Sequence, residues 1–141
     1  MTLKNSEGNI ILTIWMGAAT EEGWIPCSLE LVTPTKTYSS CTHDLYMSCM
    51  EQSDFIHGWR KIADNLEKGE GRTYHYCNSE GYFEVILESL PMDEVVEVEL
   101  WVNMGNHSGG TLYGYDEGIR FVVSQESISK FVNGISTYLL T

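Results

Sequence analysis

Apolar and polar residues alternate along most of this chain, and the period changes in only two stretches. "NIILTIWM" sets Ile10, Leu12, Ile14 and Met16 on one side of an extended chain, with Ile11, Thr13 and Trp15 on the other. "IPCSLELV" turns Cys27, Leu29 and Leu31 inward and Ser28 and Glu30 outward. "TYSSCTHDLYMSCM" predicts one long strand. Cys41, His43, Leu45, Met47 and Cys49 share one face, and Thr42, Asp44, Tyr46 and Ser48 share the other. Successive side chains of a strand point to opposite faces, so a sheet buried on one side selects this alternation.

The period lengthens in "SDFIHGWRKIADNLEKGEG", where Phe55, Ile56, Trp59, Ile62, Ala63 and Leu66 form one helical stripe. Ser53 is the expected N-cap, with Asp54 in the first turn, where the helix dipole favours an acid. Lys68 closes the last turn, and Gly69 or Gly71 ends the helix. Strands return with "RTYHYC" and with "YFEVILES", whose Phe83, Val85 and Leu87 point inward. "EVVEVELWVNM" points Val96, Val98, Leu100, Val102 and Met104 inward, and "GIRFVVS" does the same with Ile119, Phe121 and Val123. A second helix follows, capped by Ser124, with Ile128, Phe131, Val132, Ile135 and Leu139 as its stripe. The order βββ-α-ββββ-α, without linker or repeat, predicts a single α+β domain over 1–141. Its two helices cover a mainly antiparallel sheet of about seven strands.

Composition narrows the function. Eight bases against 20 acids give a net charge of −12. Phosphate contacts need clustered Lys and Arg, so nucleic acid and anionic membranes are excluded as expected partners. A basic protein partner suits the charge. No apolar run approaches the ~20 residues of a membrane span, and "MTLKNSEGN" lacks the features of a signal peptide, so a cytoplasmic location is expected. Cys27, Cys41, Cys49 and Cys77 form no C-x-x-C pair and all fall in strand-like segments. Reduced, mostly buried thiols follow, and neither a metal nor a cofactor is expected.

The loop "NHSGGTLYGYDEG" lies between two strands, carries no lysine and includes Asp116 and Glu117, which rules against phosphate binding. Glycines 105, 109, 110, 114 and 118 instead read as positive-φ positions of a long hairpin loop. His107, Ser108 and Asp116 do not make a hydrolytic triad without a nucleophile elbow. His75 with Cys77, and Cys41 with His43, share strand faces but lack further metal ligands. The alternative reading, a small hydrolase or metal-dependent enzyme, would use these residues or the 106–118 loop.

One feature stands out. From Thr73 to Ile119 there is no Lys or Arg, but there are nine acids: Glu80, Glu84, Glu88, Asp93, Glu94, Glu97, Glu99, Asp116 and Glu117. Strand parity puts Glu84, Glu88, Glu97 and Glu99 on one outward face with Tyr82 and Trp101. Like charges on neighbouring strands cost stability, and exposed aromatics anchor interfaces. Tyr82, Glu84, Glu88, Glu97, Glu99, Trp101, Asp116 and Glu117 are therefore the candidate partner-binding residues.

With this layout, the phrases "SDFIHGWRKIADNLEKGEG", "GYFEVILES" and "GIRFVVSQESISKFVNGI" resemble the WapI-type immunity group of bacterial toxin systems over about residues 24 to 140. The resemblance implies a non-enzymatic inhibitor that binds and neutralises a toxin domain, often a basic nuclease. It assigns no functional residue. A structural homo-oligomer paired through strand edges is a third reading.

Overall fold

The computed structural model describes residues 1–39, 45–78, 81–104 and 116–140. Its elements are β1 (Thr2–Lys4), β2 (Ile11–Met16), β3 (Trp24–Val32), β4 (Thr37–Ser39), β5 (Leu45–Ser48), α1 (Cys49–Glu67), β6 (Thr73–Cys77), β7 (Phe83–Leu90), β8 (Val95–Asn103), β9 (Asp116–Ser124) and α2 (Gln125–Ser136). A 3-10 turn, Thr137–Leu140, follows α2. The α+β class is as expected, and the order βββ-α-ββββ-α fits roughly, with five strands rather than three before α1 among the described residues. The strands, however, divide into two antiparallel sheets. The first half of the chain builds β1-β2-β3-β4, with β5 also on β3, and the second half builds β6-β7-β8-β9.

The strand expected over "TYSSCTHDLYMSCM" is divided. β4 pairs with Glu30–Val32 and β5 with Trp24–Cys27, so both halves lie along the same edge of β3. Cys41 and His43, between the halves, lie outside the described residues. The strand also ends earlier than alternation suggests, because Ser48 caps α1. Its Oγ accepts from the Glu51 N–H at 3.1 Å, while Glu51 Oε2 accepts from the Ser48 N–H at 2.8 Å. This reciprocal box satisfies two backbone donors and outcompetes Ser53, which lies inside the helix. Cys49 accordingly opens α1 and is exposed, as is Cys77; Cys27 is buried. The expectation of mostly buried strand thiols therefore fails for Cys49 and Cys77.

The inner faces follow the alternation. Leu12, Ile14, Met16, Cys27, Leu29, Leu31, Leu45 and Met47 from the first sheet are buried in one cluster with Phe83, Val85, Leu87, Val96, Val98, Leu100, Phe121 and Val123 from the second. The helices join the two sets. α1 touches β3 and β5 on one side and β6, β7 and β8 on the other, and α2 touches α1, β1, β8 and β9. Trp59 is the hub: it is 0% exposed, and its ring packs edge-on against Phe55 at 6.0 Å and Phe131 of α2 at 4.8 Å. Gly58 is buried because the Tyr74 ring lies on it; an added Cβ would stand 2.1 Å from Tyr74 Cζ. The Tyr74 hydroxyl donates to Asp54, and burial pushes it well above the usual phenol range. Burial also raises the Cys27 thiol from 9.0 to about 12 and Tyr76 from 10.0 to about 12. No described helix is long and apolar enough to cross a membrane.

Candidate binding face

The outer face of the four-stranded sheet is fixed by the registers of β6 to β9. Thr73, Glu88, Glu97 and Val122 form one cross-strand row, His75, Ile86, Glu99 and Arg120 the next, and Cys77, Glu84, Trp101 and Gly118 the third. Asn103 and Asp116 pair at the open end. The outward parity assigned to Glu84, Glu88, Glu97, Glu99 and Trp101 thus holds, and the four carboxylates stand together on two adjoining strands.

Their charges are only partly offset. Arg120 reaches Glu97 through Nε at 3.4 Å and Glu99 through Nη2 at 3.5 Å. Its side chain is 64% exposed, so this fork is worth about 0–1 kcal/mol. The Trp101 indole N–H donates to Glu99 Oε1 at 2.9 Å, and Glu84 pairs with His75. Glu88 sits directly opposite Glu97, and among the described residues no cation pairs with it. Strand parity alone misses Arg120, because the base-free stretch ends one residue before it and β9 folds back onto β8.

Trp101 is 36% exposed on this outer face. Its six-membered ring lies on Gly118, where a Cβ would stand 2.5 Å from Cε3. Gly118 is therefore small in order to seat an indole. It is absent from the positive-φ glycines, which are Gly8, Gly23, Gly69 and Gly81, and this corrects the turn role expected for it. The other loop glycines, with His107 and Ser108, lie outside the described residues.

Two candidates fall elsewhere. Glu117 takes the inward parity of β9 and reaches the first sheet, where it pairs with Lys36 at 2.6 Å and accepts from the Tyr38 hydroxyl at 3.2 Å. That bond raises the Lys36 ammonium above its ordinary value. Glu117 thus ties the two sheets together and does not extend the outer acidic face. Tyr82 stands just ahead of β7 and lines a cleft with Trp24 and Tyr46 of the five-stranded sheet. His75 and Cys77 do share an exposed face, but no three His, Cys, Asp or Glu side chains among the described residues gather in metal-binding range.

The family model described as the Immunity protein WapI-like family matches residues 2–140. The chain belongs to this family. No curated protein matches the sequence. Among solved structures, the chain is similar to the plant transcriptional regulator PBF-2, at 12% identity over 97% of this chain and 79% of that one, with a TM-score of 0.44. It is also similar to WHY1 from Arabidopsis thaliana, at 14% identity over 99% and 88% of the two chains, with a TM-score of 0.46. Neither likeness bears on function. What a WapI-like chain offers a partner must instead be read from its own surface, where the carboxylate rows and the seated Trp101 are the features with a shared orientation.

Proposed function

We propose that this protein is a non-catalytic immunity protein that binds and neutralises a basic toxin domain through the outer face of its four-stranded sheet. Membership of the WapI-like family supports an immunity role. The observation that carries the surface is the row in which Glu88 stands directly opposite Glu97, with no cation paired to Glu88 among the described residues, beside a partly exposed indole. Like charges directly opposite one another destabilise a sheet. A basic partner would relieve that repulsion on binding. Seated on Gly118 and tied to Glu99, Trp101 is held in place before the partner arrives, so it loses little freedom on contact. An acid-rich face also steers a positively charged partner to it, which raises the association rate at low salt.

The test is co-expression with a growth-inhibiting product of a neighbouring gene, followed by binding kinetics. Growth should be restored, and the association rate should fall steeply as salt is raised. Protection without a complex, or an association rate indifferent to salt, would overturn the reading.

A further inference from the structure

The outer face of the five-stranded sheet carries a different kind of surface. Trp15 is 51% exposed and lies against Gly17 and Pro26, where a Cβ on Gly17 would stand 2.8 Å from Trp15 Cη2 and 2.9 Å from Pro26 Cγ. Pro26 pairs across to Tyr46, and Trp24, 40% exposed, is the diagonal neighbour of Tyr46 on the same face. Beyond them opens a cleft of about 660 Å³, lined by Thr20, Glu21, Glu22, Trp24, Tyr46 and Tyr82. That volume is in the range of sites that hold a small ligand or an inserted side chain.

The cleft is built rather than incidental. The β2–β3 turn is pinned where it forms the wall. The Thr20 N–H donates to the Trp24 carbonyl at 2.7 Å, the Trp24 N–H donates to Thr20 Oγ1 at 3.1 Å, and Gly23 takes a positive φ of 86° to close the turn. This holds Glu21 and Glu22 beside the indole. Among the described residues neither glutamate has an ion-pair partner and no Lys or Arg lines the cleft. Three aromatic rings offer π faces, and two carboxylates offer charge and acceptors. An anion is repelled by Glu21 and Glu22, and a purely apolar group would strip water from them without compensation. A cation with a flat, weakly hydrated face satisfies both components, and guanidinium does so better than ammonium.

We infer that this cleft receives an arginine side chain of the protein partner, a second contact point apart from the acidic face. The inference rests on the reading that the chain acts by binding a basic protein, but it can be tested without that protein. Tri-arginine peptide serves as the probe, with tri-lysine and tri-glutamate peptides as comparisons, and the tryptophan indole N–H resonances as the readout. Tri-arginine should shift the Trp24 resonance saturably and more tightly than tri-lysine, and tri-glutamate should not shift it. The double variant Glu21→Gln/Glu22→Gln, in an exposed turn, should weaken tri-arginine binding by about tenfold. Glu88→Gln/Glu97→Gln, on the other face, should leave it within about twofold. An unmoved Trp24 resonance, or equal weakening by both double variants, would overturn the inference. The immunity reading would stand in either case, because it is judged by the toxin complex and not by the peptide.

Discussion

Glu88 faces Glu97 on the outside of the four-stranded sheet, while Trp15 lies against Pro26 on the outside of the five-stranded sheet. The inner faces of these sheets are alike, both apolar and both closed by the same helices. Their outer faces differ in kind. One sets Glu84, Glu88, Glu97, Glu99 and Asp116 against Arg120; the other exposes Trp15, Trp24 and Tyr46, and its charges on the strands, Lys4 and Glu30, are of opposite sign. Folding requires only the inner pattern. Repulsion across one outer face and exposed indoles on the other both oppose solitary stability or solubility, so their retention points to what each face meets.

The largest expected effect tests whether the two faces belong to one cooperative unit. Trp59→Ala empties the fully buried contact between α1 and α2 and should cost about 3–5 kcal/mol. Denaturation followed by fluorescence and by circular dichroism should remain a single coincident transition. Loss of one sheet before the other would mean that the faces are carried by separately folding parts. The next effect is on binding. Trp101→Ala should cost about 2 kcal/mol or more of affinity for the toxin domain, mainly through faster dissociation, while Trp15→Ala should cost under about 0.5 kcal/mol. Equal losses in surface plasmon resonance would erase the distinction between the faces.

A third substitution probes how the acidic face holds its indole. Gly118→Ala should destabilise the fold by about 1–3 kcal/mol, because the added methyl displaces the Trp101 ring. Combined with Trp101→Leu it should cost less than the sum of the two single changes, as measured by urea denaturation. A smaller effect comes from pH and samples both inner faces at once. The Cys27 thiol of the first sheet and the Tyr76 phenol of the second are raised from 9.0 and 10.0 to about 12 in the folded chain. Raised pKa values favour the protonated, folded form, so their contribution is complete below about pH 9 and is lost as pH climbs towards 12. Denaturation midpoints should be flat up to about pH 9 and fall above it; a midpoint unchanged at about pH 11 would contradict the burial of both groups.

Much of this was legible in the residues. Strand parity correctly placed Val96, Val98 and Leu100 in the core and Glu97, Glu99 and Trp101 outside, because a single buried face dictates alternation whatever the partner strand is. The start of α1 was misread although its signal was present. "SCME" is a capping box, but Met47 and Cys49 extend the alternation of β5 and hide it. The division into two sheets was not legible, since hairpin-connected strands read alike whether they continue one sheet or begin another. Arg120 and Gly118 were missed for a related reason: their roles arise from pairing across β8 and β9, which sequence distance does not display. The cleft of Glu21, Glu22, Trp24, Tyr46 and Tyr82 draws on both halves of the chain, so no local motif could mark it.

On the reading proposed above, the carboxylate rows recruit a basic partner. Glu88 and Glu97 are the residues to reverse, since they stand directly opposite one another and no cation pairs with Glu88 among the described residues. Stopped-flow association of the Glu88→Lys/Glu97→Lys variant with the toxin domain, at low and high salt, measures the claim directly. The association rate should be at least about tenfold below that of the unaltered protein at low salt and converge with it at high salt, with stability changed by less than about 1 kcal/mol. An unchanged rate in a well-folded variant would contradict that reading.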